Sequence, residues 1–348
     1  MTNLDAHPRE HAGAASDCSG PELTVIQPRT VPLGGIRAMP VRRTLPHREL
    51  SLIGAWCFLD QFVSDGEAAM TVLPHPHTAL QTVTWPITGE IHHRDSLGND
   101  IHVRPGELNL MTAGRGVSHS EFSRDGERLT GVQLWLALPT GPDTGDAAFE
   151  QITQLPTVAG QGWEFTVFIG ELDGARSPAT IHSPLVGADG EAAPGAEVTM
   201  PLNPDWEHGI LVFDGEVHAH EEVEQYFADP AAARDTDDAV NDGVLSAGHL
   251  SYFGLGRSEL TFTAGPAGAR VILIGGEPFT EPVVMFWNFI GRSHDDIADA
   301  AAAWAQDWRG GGNARYGLVP GHRSDHIPGP ELPPVRLRPR RSPHYSAE

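Results

Sequence analysis

Residues 74–85 read Pro74-His75-Pro76-His77-Thr78-Ala79-Leu80-Gln81-Thr82-Val83-Thr84-Trp85, two imidazoles one residue apart running into a stretch of β-branched and aromatic residues. Such residues suit a pleated, half-buried surface, so the stretch reads as strand. Alternate side chains of a strand share a face, which points His75 and His77 the same way at about 6.6 Å along the backbone. Two imidazoles at that separation can share one ion. Pro76 cannot donate to a ladder, so it restricts the segment to an edge or bulged strand.

Outward from this stretch the same texture repeats. Short apolar runs at 80–87, 101–103, 108–111 and 131–138 are separated by Gly, Pro and Asp signals at the spacing of antiparallel strands. The segment PTGPDTGD marks a boundary near 139–148, and a second β-rich half follows with runs at 165–169, 210–213, 260–262 and 271–274. With 39 Gly and 29 Pro in 348 residues, many short strands joined by turns are favoured over long helices. The expected division is a disordered leader at 1–22, one β-domain at 23–140, a second at 149–310 and a tail at 311–348. Within the second domain, residues 221–242 carry eight acids against one Arg and read as a solvated acidic insertion. One short C-terminal helix is predicted: Ser293 followed by Asp296 reads as its start, and Ile297, Ala301, Trp304 and Trp308 recur at a helical period.

Bulk charge excludes some functions. The net charge is −23 and Lys is absent, so the chain as a whole would repel a nucleic-acid duplex, whose binding rests on a positive field. The one local basic run, Arg336, Arg338, Arg340 and Arg341, is interleaved with Pro and reads as part of a solvated tail. Cys18 and Cys57 are too far apart in sequence and context to suggest a disulfide framework or a thiolate site. The first twenty residues contain acids and lack an apolar core segment, and no run approaches about 18 apolar residues. A cytoplasmic protein without membrane attachment is expected.

Downstream, His119-Ser120-Glu121 repeats the i, i+2 arrangement with an imidazole and a carboxylate. If the two segments lie on neighbouring strands, His75, His77, His119 and Glu121 converge on one centre. Three imidazoles and a carboxylate form a borderline N/O set suited to Fe(II), Mn, Ni, Cu or Zn, with one or two positions left open. Each pair alone is weak in a chain with 18 His, and an isolated His-x-His is commonly accidental. The joint occurrence within one compact β-domain is what gives the set weight.

A rival pattern is His218-Ala219-His220 with Glu224. An internal correspondence argues against it: residues 85–90 and 211–216 are both apolar runs ending in Gly-Glu, at Gly89-Glu90 and Gly215-Glu216. On that alignment His218 and His220 match the region of His92 and His93, and both groups are expected to face solvent. The positions fourteen and twelve residues before Gly215 are Pro201 and Asn203, in place of His75 and His77, so the second domain is expected to lack a metal.

The chain resembles the pirin family, a branch of the cupin superfamily. The resemblance rests on His75-Pro-His77, Gln81-Thr-Val-Thr-Trp85, Gly89-Glu90, His93-Arg-Asp-Ser-Leu-Gly98, Arg104-Pro-Gly106, and Met111-Thr-Ala-Gly-Arg-Gly116 followed by His119-Ser-Glu121. Gly275-Gly-Glu-Pro278 and Glu281-Pro-Val-Val284 are similar to the family's C-terminal domain. It implies an all-β fold of two tandem cupin (jelly-roll type) β-barrels, the first binding one mononuclear Fe(II) through His75, His77, His119 and Glu121 and the second without metal. For function it implies a quercetin 2,3-dioxygenase-like oxidoreductase acting on a flavonol or similar phenolic with dioxygen. Glu121 would then both ligate the metal and take the substrate's hydroxyl proton. The alternative it implies is a non-enzymatic, iron-dependent redox sensor or transcription co-regulator, whose acidic surface would meet a protein partner. Gln61 stands where members often carry His and Gln81 where many carry Glu. Both are expected behind the ligands, where they would change the hydrogen bonds that orient imidazoles.

Overall fold

The computed structural model describes residues 23–33, 39–141, 145–220, 223–228, 243–307, 315–322 and 325–339. The expected leader, most of the acidic insertion, Cys18, Trp308, Arg340 and Arg341 lie outside the described residues. The first half contains β1 (Leu23–Ile26), β2 (Arg29–Leu33), β3 (Met39–Leu45), β4 (Trp56–Ser64), β5 (Thr71–His77), β6 (Leu80–Thr88), β7 (Ile91–Asp95), β8 (Asp100–Val103), β9 (Leu108–Thr112), β10 (Val117–Phe122), β11 (Leu129–Ala137) and β12 (Ala148–Ile152). Two facing sheets result, one of order β5-β10-β7-β8 and one of order β12-β9-β6-β11-β4-β3-β2. Pro76 sits on β5, the edge of the smaller sheet, where its missing N–H is tolerated.

The second half is built on a larger sheet in which Trp163–Leu172, Leu185–Ala192, Glu259–Gly276, Glu207–Ala219 and Leu250–Phe253 are neighbours in that order. The runs expected at 260–262 and 271–274 form one ladder, Glu259–Gly276, bent where the register of its partner shifts between Gly215 and Val217. The internal correspondence holds in space. β6 lies between β9 and β11, and Glu207–Ala219 lies between Leu250–Phe253 and Glu259–Gly276. Gly89 and Gly215 have φ of 83° and 73°, and a Cβ on them would stand 2.4 Å from Arg128 O and 2.3 Å from Gly268 O respectively. A left-handed residue in close contact with backbone has to be glycine at both places.

Two strands leave the half to which their position in the chain assigns them. β1 pairs with Leu250–Phe253 of the second half, and β12 pairs with β9 of the first. The halves are thus laced together by backbone ladders around the expected boundary. They also share a core containing Trp56, Phe58, Trp85 and Trp135 from one side and Phe168, Leu211, Phe213 and Ile272 from the other. Polar contacts fix the register between them: Trp56 Nε1 donates to Gly275 O (3.1 Å), Trp85 Nε1 to Asp189 Oδ2 (2.8 Å) and Gly54 N to the buried Glu207 Oε2 (2.6 Å).

The predicted helix is α1 (His294–Asp307). Its start is a reciprocal cap, with Ser293 N donating to Asp296 Oδ2 (2.9 Å) and Asp296 N to Ser293 Oγ (3.2 Å). Ile297, Ala300 and Trp304 form its buried face. The described residues beyond it pack onto the first half, where a tail was expected. Tyr316 is 1% exposed and its hydroxyl meets Thr78 Oγ1 (3.0 Å), Ile327 N donates to Pro74 O (2.8 Å), and His322 stacks on Phe122. The open edge of β5 is covered by this segment, which answers the general tendency of an exposed edge to pair with other chains.

Candidate metal centre

Period-2 alternation decides what faces the interior of the first half. β5 sends in His75 and His77 and β10 sends in His119 and Glu121, with His119 directly opposite His75 in the ladder. All four are 0% exposed. The imidazole centroids lie 4.3–5.0 Å apart, and His77 Nε2 and His119 Nε2 face each other at 3.1 Å. His75, His77 and His119 each present a ring nitrogen within 4.8 Å of the others. Glu121 joins a second such group, with His119 and His93. The four predicted residues therefore fall in two overlapping groups that share His119, with Glu121 grouped with His93 rather than with His75 and His77.

Burial holds His75, His77 and His119 well below the ordinary imidazole value, and the mutual proximity of the rings adds to the effect for His77 and His119. They are neutral and offer lone pairs. For His75 the tautomer follows from its neighbours: Nδ1 lies 2.9 Å from Leu73 O, a pure acceptor, so Nδ1 carries the proton. Its Nε2 is then a buried lone pair with no hydrogen-bond partner among the described residues. A buried unsatisfied acceptor is costly unless something binds it. A divalent cation fits that requirement and fits a donor set of three neutral imidazoles and one carboxylate.

The facing wall comes from the larger sheet. Asn109, Thr84, Gln133, Asp60 and Arg43 are cross-strand neighbours in one row over β9, β6, β11, β4 and β3, and all are buried. Thr84 Oγ1 lies 3.1 Å from Glu121 Oε1 and 3.0 Å from Gln133 Oε1. One hydroxyl proton cannot serve both acceptors, and Gln133 Nε2 has no partner among the described residues. Turning the Gln133 amide resolves both problems, because Nε2 then donates to Thr84, whose proton goes to Glu121. Beside this row, Trp135 meets His77 edge-on at 5.1 Å and stacks on Phe58 at 4.0 Å.

Two expectations are corrected here. Gln61 Nε2 donates to Phe213 O and Gln81 Nε2 to Thr112 Oγ1 and Thr180 O. Neither bonds an imidazole among the described residues: Gln81 and Thr84 are an odd number of residues apart on β6, and Gln61 is next to Asp60 on β4, so each lies on the face opposite the row that fronts the imidazoles. The second concerns His93, which is 1% exposed and stacked on Phe149. Its neighbour His92 lies towards the surface, 2.5 Å from Asp100 Oδ1. Sequence reasoning also passed over Asp95, which is 0% exposed beside His93. The rival residues His218 and His220 do lie at the surface, and both groups of His, Asp and Glu close enough to share an ion among the described residues are in the first half.

The pirin family profile matches residues 38–136, and the profile of the pirin C-terminal cupin domain matches residues 187–311. The chain belongs to the pirin family. A Pseudomonas aeruginosa protein named as a "putative quercetin 2,3-dioxygenase" is 39% identical over 321 residues, covering 90% of each chain. A crystal structure of quercetin 2,3-dioxygenase from Acinetobacter baumannii superimposes with a TM-score of 0.78 at 36% identity, over 91% of this chain and 98% of that one. A bacterial pirin from Escherichia coli, solved in complex with nickel(II), shares the fold at a TM-score of 0.54 and 17% identity, over 74% of this chain and 99% of that one. Two tandem cupin domains account for both profile matches and for the predominance of strand. No helix among the described residues is long and apolar enough to cross a membrane.

Proposed function

We propose that this pirin is a ring-cleaving dioxygenase of the quercetin 2,3-dioxygenase type, acting on a flavonol or similar phenolic, with one Fe(II) held by His75, His77, His119 and Glu121. The second half is read as metal-free, with Pro201 and Asn203 where the first half has His75 and His77. When bound, the metal would supply Lewis-acid and redox chemistry for the reaction between a phenolic and dioxygen.

The protein's own residues supply the rest. His75 presents a lone pair fixed by Leu73, and burial keeps all three imidazoles neutral. Glu121 is the group placed to accept a proton from a substrate hydroxyl, and the Thr84 hydroxyl steadies its Oε1. Next to it are buried polar atoms without partners among the described residues: both side-chain atoms of Asn109, one amide end of Gln133, and Trp135 Nε1. Such atoms match a ligand carrying several hydroxyl or carbonyl groups, whose binding would satisfy them.

The observation that carries the reading is a His75 Nε2 with no partner among the described residues, inside a fully buried cluster of imidazoles and a carboxylate, in a chain 39% identical to the Pseudomonas relative. The test is oxygen consumption by iron-loaded protein supplied with quercetin under saturating oxygen. Turnover that disappears in His119→Ala supports it. Tight iron binding with no oxygen uptake assigns the protein to the iron-dependent sensor or co-regulator class instead, and unchanged turnover in His119→Ala removes the site assignment.

A further inference from the structure

Three adjacent strands each place an i, i+2 polar pair in the interior: His75/His77 on β5, His119/Glu121 on β10, and His93/Asp95 on β7. The ladders put Asp95 opposite His119 and His93 opposite Glu121, and none of the six is more than 1% exposed. The third pair has no part in the ligand set proposed above, yet it is buried against that set and hydrogen-bonded in one direction.

The chain of bonds begins at Asp95. Its Oδ1 accepts from Leu97 N (2.9 Å) and Asn99 N (3.0 Å), and its Oδ2 from Asn99 Nδ2 (2.8 Å). The turn 95–99 thereby locks the carboxylate in place. His93 Nε2 lies 3.2 Å from the same Oδ2. A carboxylate saturated by donors can only accept, so the proton sits on His93 Nε2 and the lone pair on Nδ1. His93 Nδ1 in turn lies 3.4 Å from His119 Nδ1. With a lone pair on His93, His119 Nδ1 must carry the proton. The remaining His119 nitrogen, Nε2, is left as a lone pair directed at His77 Nε2, 3.1 Å away. The ring stack of His93 on Phe149, at 4.7 Å and 27°, fixes the plane of the relay.

We infer that Asp95 and His93 are positioning residues that impose the Nδ1–H tautomer on His119 and aim its Nε2 into the metal centre, a relay running Asp95–His93–His119. The inference rests on the metal reading given above for what His119 does, though the tautomer itself is independent of any ion. His75 obtains the same tautomer from a backbone carbonyl, so the two imidazoles on facing positions of β5 and β10 are set by different devices with one outcome. Ligating imidazoles are generally oriented by an acceptor on their other nitrogen; here that acceptor is a second imidazole, polarised by a buried carboxylate.

Asp95→Asn makes the inference testable, because the backbone donors at Leu97 and Asn99 would draw the amide oxygen to the Oδ1 position. The amide NH2 would then face His93 Nε2, which would become an acceptor, and the proton pattern would reverse along the relay. Long-range ¹⁵N–¹H spectra of metal-free, ¹⁵N-histidine-labelled full-length protein read the tautomers directly. His119 is expected as Nδ1–H in the wild type and as Nε2–H in Asp95→Asn. Cobalt(II) titration of the same proteins should show a loss of about 10- to 100-fold in affinity for Asp95→Asn. The conservative variant His93→Asn, whose amide oxygen can take the Nδ1 position, should bind cobalt(II) within about threefold of wild type, while His93→Leu should show the same loss as Asp95→Asn. Superhyperfine structure in the copper(II) EPR spectrum should report three coordinated nitrogens with and without His93.

A wild-type His119 in the Nε2–H form overturns the relay. So does a cobalt(II) affinity in Asp95→Asn within twofold of wild type, or the loss of one coordinated nitrogen in His93→Leu, which would make His93 a ligand. If the wild type shows the expected tautomer but binds cobalt(II) no better than His75→Ala, the metal reading fails and the tautomer relay stands.

Discussion

Replacing Asp60 by Ala should cost the fold about 3–5 kcal/mol, the range for removing one partner of a buried ion pair. Asp60 is 0% and Arg43 5% exposed, and the guanidinium grips the carboxylate with two bonds, Nε to Oδ1 at 2.6 Å and Nη2 to Oδ2 at 2.7 Å. Losing the carboxylate leaves a cation in a wall made of Phe58, over whose ring Arg43 lies at 4.4 Å. The attraction within the pair offsets the desolvation of both ions, so the single substitution loses both bonds to the carboxylate while the guanidinium stays buried. It follows that the double substitution Arg43→Met with Asp60→Leu should recover most of the loss, because neither charge then has to be desolvated. The assay is urea unfolding of chelator-treated protein, which keeps metal linkage out of the comparison, and a thermal shift of about 4–7 °C should accompany the single variant. A single-variant cost below about 1 kcal/mol, or a double variant as unstable as the single, would refute the reasoning.

Burial pushes His208 down to about 4 from 6.5, and the residue is 1% exposed. A base depressed in the folded state is protonated first in the unfolded chain, so its contribution is full above pH 6.5 and is lost as pH falls towards 4; His208→Gln should therefore lose about 3 kcal/mol less than wild type over that interval, measured as the difference in unfolding free energy at the two ends. Gly215→Ala should cost about 2 kcal/mol, combining left-handed strain at φ 73° with a Cβ 2.3 Å from Gly268 O, whereas Gly106→Ala, at φ 81° with nothing within 4 Å, should cost about 1; equal melting shifts would contradict this. Ser293→Ala removes the acceptor for Asp296 N and should destabilise by about 1 kcal/mol in urea titration, with no change in metal affinity. Iron(II) or cobalt(II) at a hundredfold over its dissociation constant should stabilise the wild type by about 2.7 kcal/mol and leave His75→Ala unshifted, which differential scanning fluorimetry with and without chelator reads.

The strands were legible because β-branched and aromatic runs bounded by Gly and Pro have few other ways to fold. Residues 80–87 and 131–138 correspond to β6 and β11 within a residue or two at either end. What a run of sequence does not contain is the identity of its partner. Nothing local in Leu-Thr-Val-Ile at 23–26 says that it completes a sheet built 200 residues later, and nothing in residues 148–152 says that they return to the first half. Gly265 and Pro266, between the runs at 260–262 and 271–274, lie inside the single strand Glu259–Gly276. They mark a bend within one ladder, and turn residues are used for bends and bulges as well as for ends.

The site divides along the same line. For His75, His77, His119 and Glu121, parity gives the shared face within each pair whatever lies opposite, and the occurrence of both pairs in one β-domain gives the set its weight. His93-Arg94-Asp95 has that form as well, and it ends in the turn at Gly98 as the other pairs end near turns. It was passed over because the internal correspondence matched His92 and His93 to the exposed His218 and His220, and that correspondence is true of backbone position but carries no information about which face a side chain takes. Gln61 and Gln81 fail in the complementary way: the resemblance put them behind the ligands, yet β6 has both faces buried, one against Glu121 through Thr84 and one against the second half through Gln81 and Trp85. In a strand buried on both sides, hydropathy no longer tells inside from outside. Only the cross-strand register does, and the register that places His119 between His75 and Asp95 assigns each polar pair its role.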